Sequence, residues 1–79
     1  MAVFLHERGV ATIGIDAPSM GSAEEGIEVH KEGLSREMLF VEMLTGLDRL
    51  PTRGAHFVFL PVKIAVASGA PGRAIAILP

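Results

Sequence analysis

The last 26 residues of the chain, 54–79, carry only two charged side chains, Lys63 and Arg73. So few charges are typical of strands that are buried on both faces. The whole chain is also apolar, since 49% of its 79 residues are hydrophobic and nine more are glycine. A domain of this size buries only about 60% of the surface that its unfolded chain exposes. We therefore expect other polypeptide, from the same protein or from a partner subunit, to cover part of this chain.

Charge and composition exclude several classes of function. The net charge of −2 and the lack of a Lys/Arg cluster argue against a nucleic-acid partner. The absence of cysteine excludes disulfides, thiolate metal sites and cysteine nucleophiles. The longest stretches without Asp, Glu, Lys or Arg have nine residues, whereas a membrane-spanning helix needs about 20. The N-terminus lacks the features of a signal peptide, so we expect a cytoplasmic protein with no membrane segment.

Local patterns predict an α/β or α+β fold with short helices around a mostly buried sheet. Gly9 suits the left-handed position just after a helix end, and that helix begins almost at the chain start without a cap, as expected if more sequence precedes it. Pro61 favours an edge strand or a bulge. The segment Met38–Met43 fits either a buried strand or a helix that runs to Leu50. The other predicted elements are helical segments at residues 2–8 and 29–35 and strands at residues 10–15, 56–67 and 73–78.

Glu42 is the most informative polar residue, because it lies within the apolar run Leu-Phe-Val-Glu-Met-Leu. A buried, unpaired carboxylate costs several kcal/mol, so Glu42 would need a cation or hydrogen bonds. The alternative places Glu42 on the solvent-facing side of a helix with Thr45 and Arg49. From spacing alone, that alternative is favoured.

His30 precedes Glu42 by twelve residues. On one continuous helix the two would lie about 18 Å apart, so they meet only if the chain turns between them, which Gly33 permits. Together they would suit Zn²⁺ or Mn²⁺, although a catalytic zinc normally takes three protein ligands. Taken alone, His30 is more simply interpreted as a surface histidine.

Three further residues are weaker candidates for shaping a site. Asp16 ends a predicted strand but is also an ordinary turn-forming residue ahead of Pro18. Ser19 lacks the first glycine of a nucleophile elbow, which favours a turn role. Arg73 follows Gly69-Ala-Pro-Gly, which fits a small anion nest or, more simply, a tight turn before a strand. The two remaining histidines, at positions 6 and 56, show no partner.

Several of these segments, in order and in spacing, resemble the carboxy-terminal third of the cyclase family of metal-dependent hydrolases, which includes bacterial kynurenine formamidase (arylformamidase) and isatin hydrolase. The resemblance implies a swivelling β/β/α domain. It also implies hydrolysis of an amide or a lactam-like ring with one or two divalent metals, zinc or manganese, as in tryptophan catabolism. The segments that carry the resemblance are Gly-Ile-Asp-Ala-Pro-Ser at 14–19, His30, Glu42 with Leu-Asp-Arg-Leu-Pro at 47–51, Pro61, and Gly-Ala-Pro-Gly-Arg-Ala at 69–74.

By this resemblance, His30 matches a ligand of one metal and Glu42 matches a carboxylate that can bridge both. The family's other ligands lie far upstream in a His-x-x-x-His-x-Asp motif, which this sequence lacks. Met43 stands where the family usually has an asparagine, and Gly72 replaces the usual valine or alanine. The resemblance implies that residues 1–79 form a single C-terminal fragment that is inactive alone. The rest of the hydrolase chain or a partner subunit would complete the site for a small amide such as N-formylkynurenine.

A second hypothesis belongs to a different class of function. In this hypothesis the chain has lost catalysis and serves as a structural or interaction module that forms homo-oligomers through its apolar C-terminal strands. A split enzyme, assembled from two chains, is a third. The sequence alone leaves the three open, together with the metal and the substrate.

Overall fold

The computed structural model describes residues 1–22 and 24–79. Within them the fold is a small mixed α/β arrangement of two short helices and two two-stranded sheets, in agreement with the predicted α+β class. No helix in these residues is long and apolar enough to cross a membrane. The chain divides into two compact units, Met1–Thr45 and Gly46–Pro79. The elements are helices α1 (Ala2–Glu7) and α2 (Gly26–Leu34), strands β1 (Thr12–Gly14), β2 (Leu39–Val41), β3 (His56–Pro61) and β4 (Gly72–Ile77), and a 3₁₀ turn at Leu47–Arg49.

The first unit is built around two parallel strands. Thr12 of β1 lies opposite Leu39 of β2, and Gly14 lies opposite Val41. Parallel neighbours need a crossover connection, and here α2 forms part of that connection and contacts α1. The ambiguous segment at residues 38–43 is therefore a strand, not part of a helix. Among the described residues, the buried apolar side chains all belong to this unit: Ala2, Met20, Val29, Met38 and Val41.

Both helices end in the same backbone motif. After α1, the Val10 N–H donates to the Leu5 carbonyl and the Gly9 N–H donates to the His6 carbonyl. This is the Schellman pattern, and Gly9 has the left-handed φ of 81° that was predicted for it.

After α2 the Met38 N–H donates to the Gly33 carbonyl and the Glu37 N–H to the Leu34 carbonyl, which repeats the pattern. Here the left-handed residue is Glu37, with φ of 60°. The sequence indicated that Gly33 permits a turn between His30 and Glu42; the chain does turn there, but Gly33 lies inside α2 and the reversal occurs at Glu37.

The second unit is an antiparallel hairpin of β3 and β4, with His56 opposite Ile77 and Pro61 opposite Gly72. The strand predicted at 56–67 ends at Pro61. One more hydrogen bond follows, from the Val62 N–H to the Pro71 carbonyl, and Pro71 has no N–H to return it. Several apolar strand side chains are exposed, including Leu60 at 61% and Ile77 at 57%. The prediction of a mostly buried sheet is therefore not confirmed, and the swivelling domain stays a prediction.

Candidate functional site

His30 lies on α2, where its ring is held by its own helix. Its Nδ1 lies 2.6 Å from the carbonyl oxygen of Gly26, four residues earlier. A carbonyl oxygen can only accept, so Nδ1 carries the proton of this hydrogen bond. In the neutral imidazole, Nε2 is then the unprotonated nitrogen and presents its lone pair away from the helix.

Glu42 follows β2 directly, and its carboxylate meets that nitrogen. Oε1 of Glu42 lies 3.1 Å from Nε2 of His30 and 3.4 Å from the backbone nitrogen of Met20, which donates to it. The two side chains are 32% and 28% exposed. The structure thus brings together the histidine and the glutamate, which would lie about 18 Å apart on one continuous helix.

The pair favours a positive charge between its two members. The pKa of His30 is raised from its ordinary 6.5, first by the hydrogen bond to the Gly26 carbonyl and then by the Glu42 carboxylate, while partial burial lowers it. A neutral imidazole with its proton on Nδ1 would place an Nε2 lone pair against a carboxylate oxygen. The contact is therefore favourable when Nε2 carries a proton, and a metal cation would meet the same electrostatic requirement.

The geometry fits a metal ion in part. Two donors bound to one ion at about 2.1 Å, with angles of about 90° to 109°, lie about 3.0 to 3.4 Å apart. The 3.1 Å separation of His30 Nε2 and Glu42 Oε1 falls in this range, and imidazole and carboxylate suit Zn²⁺ or Mn²⁺. Within residues 1–22 and 24–79, however, no group of three or more potential metal ligands occurs. The separation of the His30 and Glu42 donor atoms is thus compatible with two ligands of one metal ion.

Phe40 and Gly33 complete the surroundings of the imidazole. The rings of Phe40 and His30 pack edge to face, with centroids 5.2 Å apart and planes at 76°. Gly33 is buried, and a Cβ atom at this position would collide with the Phe40 ring. Sequence reasoning missed Phe40, because an aromatic residue in an apolar run gives no sign of what it packs against.

An open depression of about 670 Å³ adjoins His30. Its lining is mainly apolar or small, and Ser19, one of the weaker candidates, contributes to it. The other lining residues include Pro18, Ser22, Ile27, His30 and Lys31.

The remaining weaker candidates lie elsewhere. Asp16 lies in a bend after β1, as its turn-forming interpretation predicts, and is exposed. Arg73 lies on β4 of the second unit, opposite Leu60.

Comparison with known proteins finds relatives among curated sequences. The chain is 38% identical over 72 residues to isatin hydrolase of Roseibium aggregatum, a match that covers 90% of this chain and 27% of that protein. It is 37% identical over 73 residues to kynurenine formamidase of Bordetella petrii, over 91% of this chain and 34% of that protein. Both relatives are members of the cyclase family, matched in their C-terminal parts. The resemblance to the cyclase family is confirmed.

A third relative matches a similar length of this chain. An uncharacterized protein of Methanocaldococcus jannaschii is 39% identical over 70 residues, which are 87% of this chain and 36% of that protein. The chain thus spans only 27% to 36% of the length of these relatives. No family model and no solved structure matches it. Hydrolases of the cyclase family are generally metal-dependent, which agrees with the donor chemistry of His30 and Glu42.

Proposed function

We propose that this chain forms the C-terminal part of a metal-dependent amide hydrolase of the cyclase family. His30 and Glu42 would supply two ligands to a zinc or manganese ion, and the rest of the hydrolase chain or a partner subunit would supply the others. The observation that carries the proposal is the 3.1 Å approach of His30 Nε2 to Glu42 Oε1, in a sequence that matches hydrolases along 90% of its length. With only two ligands, the chain would be inactive alone.

The residues of the chain would prepare the site before any metal binds. The Gly26 carbonyl holds the Nδ1 proton of His30, which leaves Nε2 as the ligating nitrogen. The backbone N–H of Met20 fixes Oε1 of Glu42. When bound, a divalent cation lowers the pKa of water and polarises the amide carbonyl. The depression beside His30, with Pro18 and Ile27 in its lining, would receive the apolar part of the substrate.

The proposed substrate is a small formamide such as N-formylkynurenine or a related cyclic amide. The support is the name of the Bordetella petrii relative, a kynurenine formamidase. A chimera tests this directly: the C-terminal part of that enzyme is replaced by this chain, and formamide hydrolysis is measured with added Zn²⁺ or Mn²⁺. We expect activity that is lost in Glu42→Gln and kept in His56→Gln, a histidine control on β3.

Metal binding by the chain alone gives a second test. Calorimetric titration with Zn²⁺ should show weak binding that Glu42→Gln weakens further and His56→Gln leaves unchanged. Tight, stoichiometric binding by the chain alone would contradict the two-ligand argument. Because zinc must displace the proton from Nε2, binding should also release protons and weaken as the pH falls.

A non-catalytic module that forms homo-oligomers is the alternative, and the exposed apolar side chains of the hairpin favour it. Phe57 is 42% exposed, Leu60 61% and Ile77 57%, which is unusual for strands with so few charges. Analytical ultracentrifugation of the chain and of Leu60→Lys tests whether this surface joins copies. A chimera that is folded but inactive, together with oligomers that Leu60→Lys disrupts, would favour the module over the hydrolase.

A further inference from the structure

We propose that Phe40 is a positioning residue that fixes the orientation of the His30 imidazole, and that Gly33 is the helix position that admits the Phe40 ring. The inference rests on the proposed role of His30 as a metal ligand. It concerns how the ring of that ligand is held, and it can be tested without a metal.

His30, Gly33, Phe40 and Glu42 meet because the helix period places the first two on one face of α2 and the strand period places the last two on one side of β2. His30 and Gly33 are three residues apart on α2 and share one face of the helix. Phe40 and Glu42 are two residues apart, at and just after β2, and project to the same side of the strand. The Phe40 ring therefore packs against His30, with ring centroids 5.2 Å apart, while the Glu42 carboxylate reaches Nε2 at 3.1 Å.

Gly33 gives independent support for a specific fit. Glycine weakens a helix interior relative to alanine, so a buried glycine in α2 needs a local reason. A Cβ at position 33 would collide with the Phe40 ring, and the ring atom nearest to it is Cζ. A tyrosine hydroxyl is attached at Cζ, so Phe40→Tyr would push oxygen into the helix. The space beside Gly33 thus fits a phenylalanine ring at position 40 but not a tyrosine ring.

The contact with Phe40 holds the ring in a way that the contact with Glu42 cannot. The hydrogen bond between Nε2 and Oε1 exists only while a proton lies between these atoms. The hydrogen bond to the Gly26 carbonyl and the packing on Phe40 do not depend on that proton. They therefore keep the imidazole in one orientation whether or not the proton is present, which is what a metal ligand requires.

NMR of the 79-residue chain with ¹⁵N-labelled histidine tests the proposal. In the wild-type chain we expect nuclear Overhauser effects between the Phe40 and His30 rings, one dominant His30 rotamer, and a proton on Nδ1. In Phe40→Leu we expect a roughly two- to ten-fold rise in the population of other His30 rotamers, the size expected from loss of one aromatic pair. Gly33→Ala should change the populations in the same direction. The control Phe57→Leu, on β3, should leave the His30 signals unchanged.

Two results would overturn the proposal: no Overhauser effect between the two rings in the wild-type chain, or unchanged His30 rotamers in Phe40→Leu. If circular dichroism shows that Phe40→Leu is unfolded, Phe40→Met replaces it, since methionine fills irregular space without a ring. The wild-type measurement decides in any case. A failure of the proposed function, seen as zinc binding that Glu42→Gln does not alter, leaves these ring measurements unaffected, so the two failures are distinguishable.

Discussion

Replacement of Glu37 by glycine should stabilise the chain, although it removes a side chain and adds flexibility to the unfolded state. Glu37 occupies the left-handed position of the turn that reverses the chain between α2 and β2, with φ of 60°. This turn brings His30 back to Glu42. The equivalent position after α1 is Gly9, with φ of 81°, so the same motif occurs once with the favoured residue and once without it.

The expected magnitude follows from two opposing effects. A left-handed backbone costs a residue with a Cβ about 1–2 kcal/mol, and Glu37→Gly removes this cost. Glycine also gives the unfolded chain more conformational freedom, which lowers the free energy of unfolding by about 0.5–1 kcal/mol. The Glu37 side chain is exposed, and among the described residues its carboxylate makes no hydrogen bond or ion pair. We therefore expect a net stabilisation of about 0.5–1 kcal/mol.

Urea unfolding followed by circular dichroism measures this difference. With an m-value of about 1 kcal/mol/M, the midpoint should rise by about 0.5–1 M. Two controls also remove one negative charge. Glu37→Ala keeps the Cβ and should not raise the urea midpoint. Glu28→Gly, within α2, should lower the free energy of unfolding by about 1 kcal/mol. If Glu37→Gly lowered the midpoint as Glu28→Gly does, the left-handed turn after α2 would be refuted.

Three further predictions concern the surroundings of the site. Gly33→Ala should destabilise the chain by about 1 kcal/mol in the same urea assay. The collision with Phe40 costs about 1–3 kcal/mol, which outweighs the gain in helix propensity of about 1 kcal/mol. A rise in stability would contradict the close packing of the Phe40 ring against Gly33. Met43→Asn should stabilise by about 0.5 kcal/mol, since Met43 has φ of 60°, is 65% exposed, and asparagine tolerates this conformation better; Met43→Ala should give no such gain. The raised pKa of His30 predicts a stability contribution that is fully present below pH 6.5 and is lost as the pH rises through the folded-state pKa. Urea midpoints at pH 5.5 and pH 8.5 should show this loss in the wild-type chain and a smaller one in Glu42→Gln, and equal losses would contradict the pairing.

The sequence predicted those features that have a local signal. Gly9 marked a helix end, a β-branched run marked β1, and the charge-poor, partly alternating C-terminal segment marked the strands of the hairpin. The turn after α2 had no such signal, because a glutamate in the left-handed region looks like any other glutamate, whereas Gly33 looked like the turn. Glycine occurs both where the backbone needs a positive φ and where a neighbour needs space, and only the position of the Phe40 ring decides that Gly33 belongs to the second class.

The departure at Met43 has a physical meaning that the resemblance alone could not supply. Asparagine is among the few residues with a side chain that enter the left-handed region readily, and Met43 adopts that region directly after Glu42. The backbone at this point also donates from Met43 to the Ala17 carbonyl, which ties the end of β2 to the loop after β1. This hydrogen bond fixes the backbone directly after Glu42, whose carboxylate meets Nε2 of His30. Because the geometry persists with methionine, the surrounding contacts must offset the backbone strain, as they do where strained residues support a functional site.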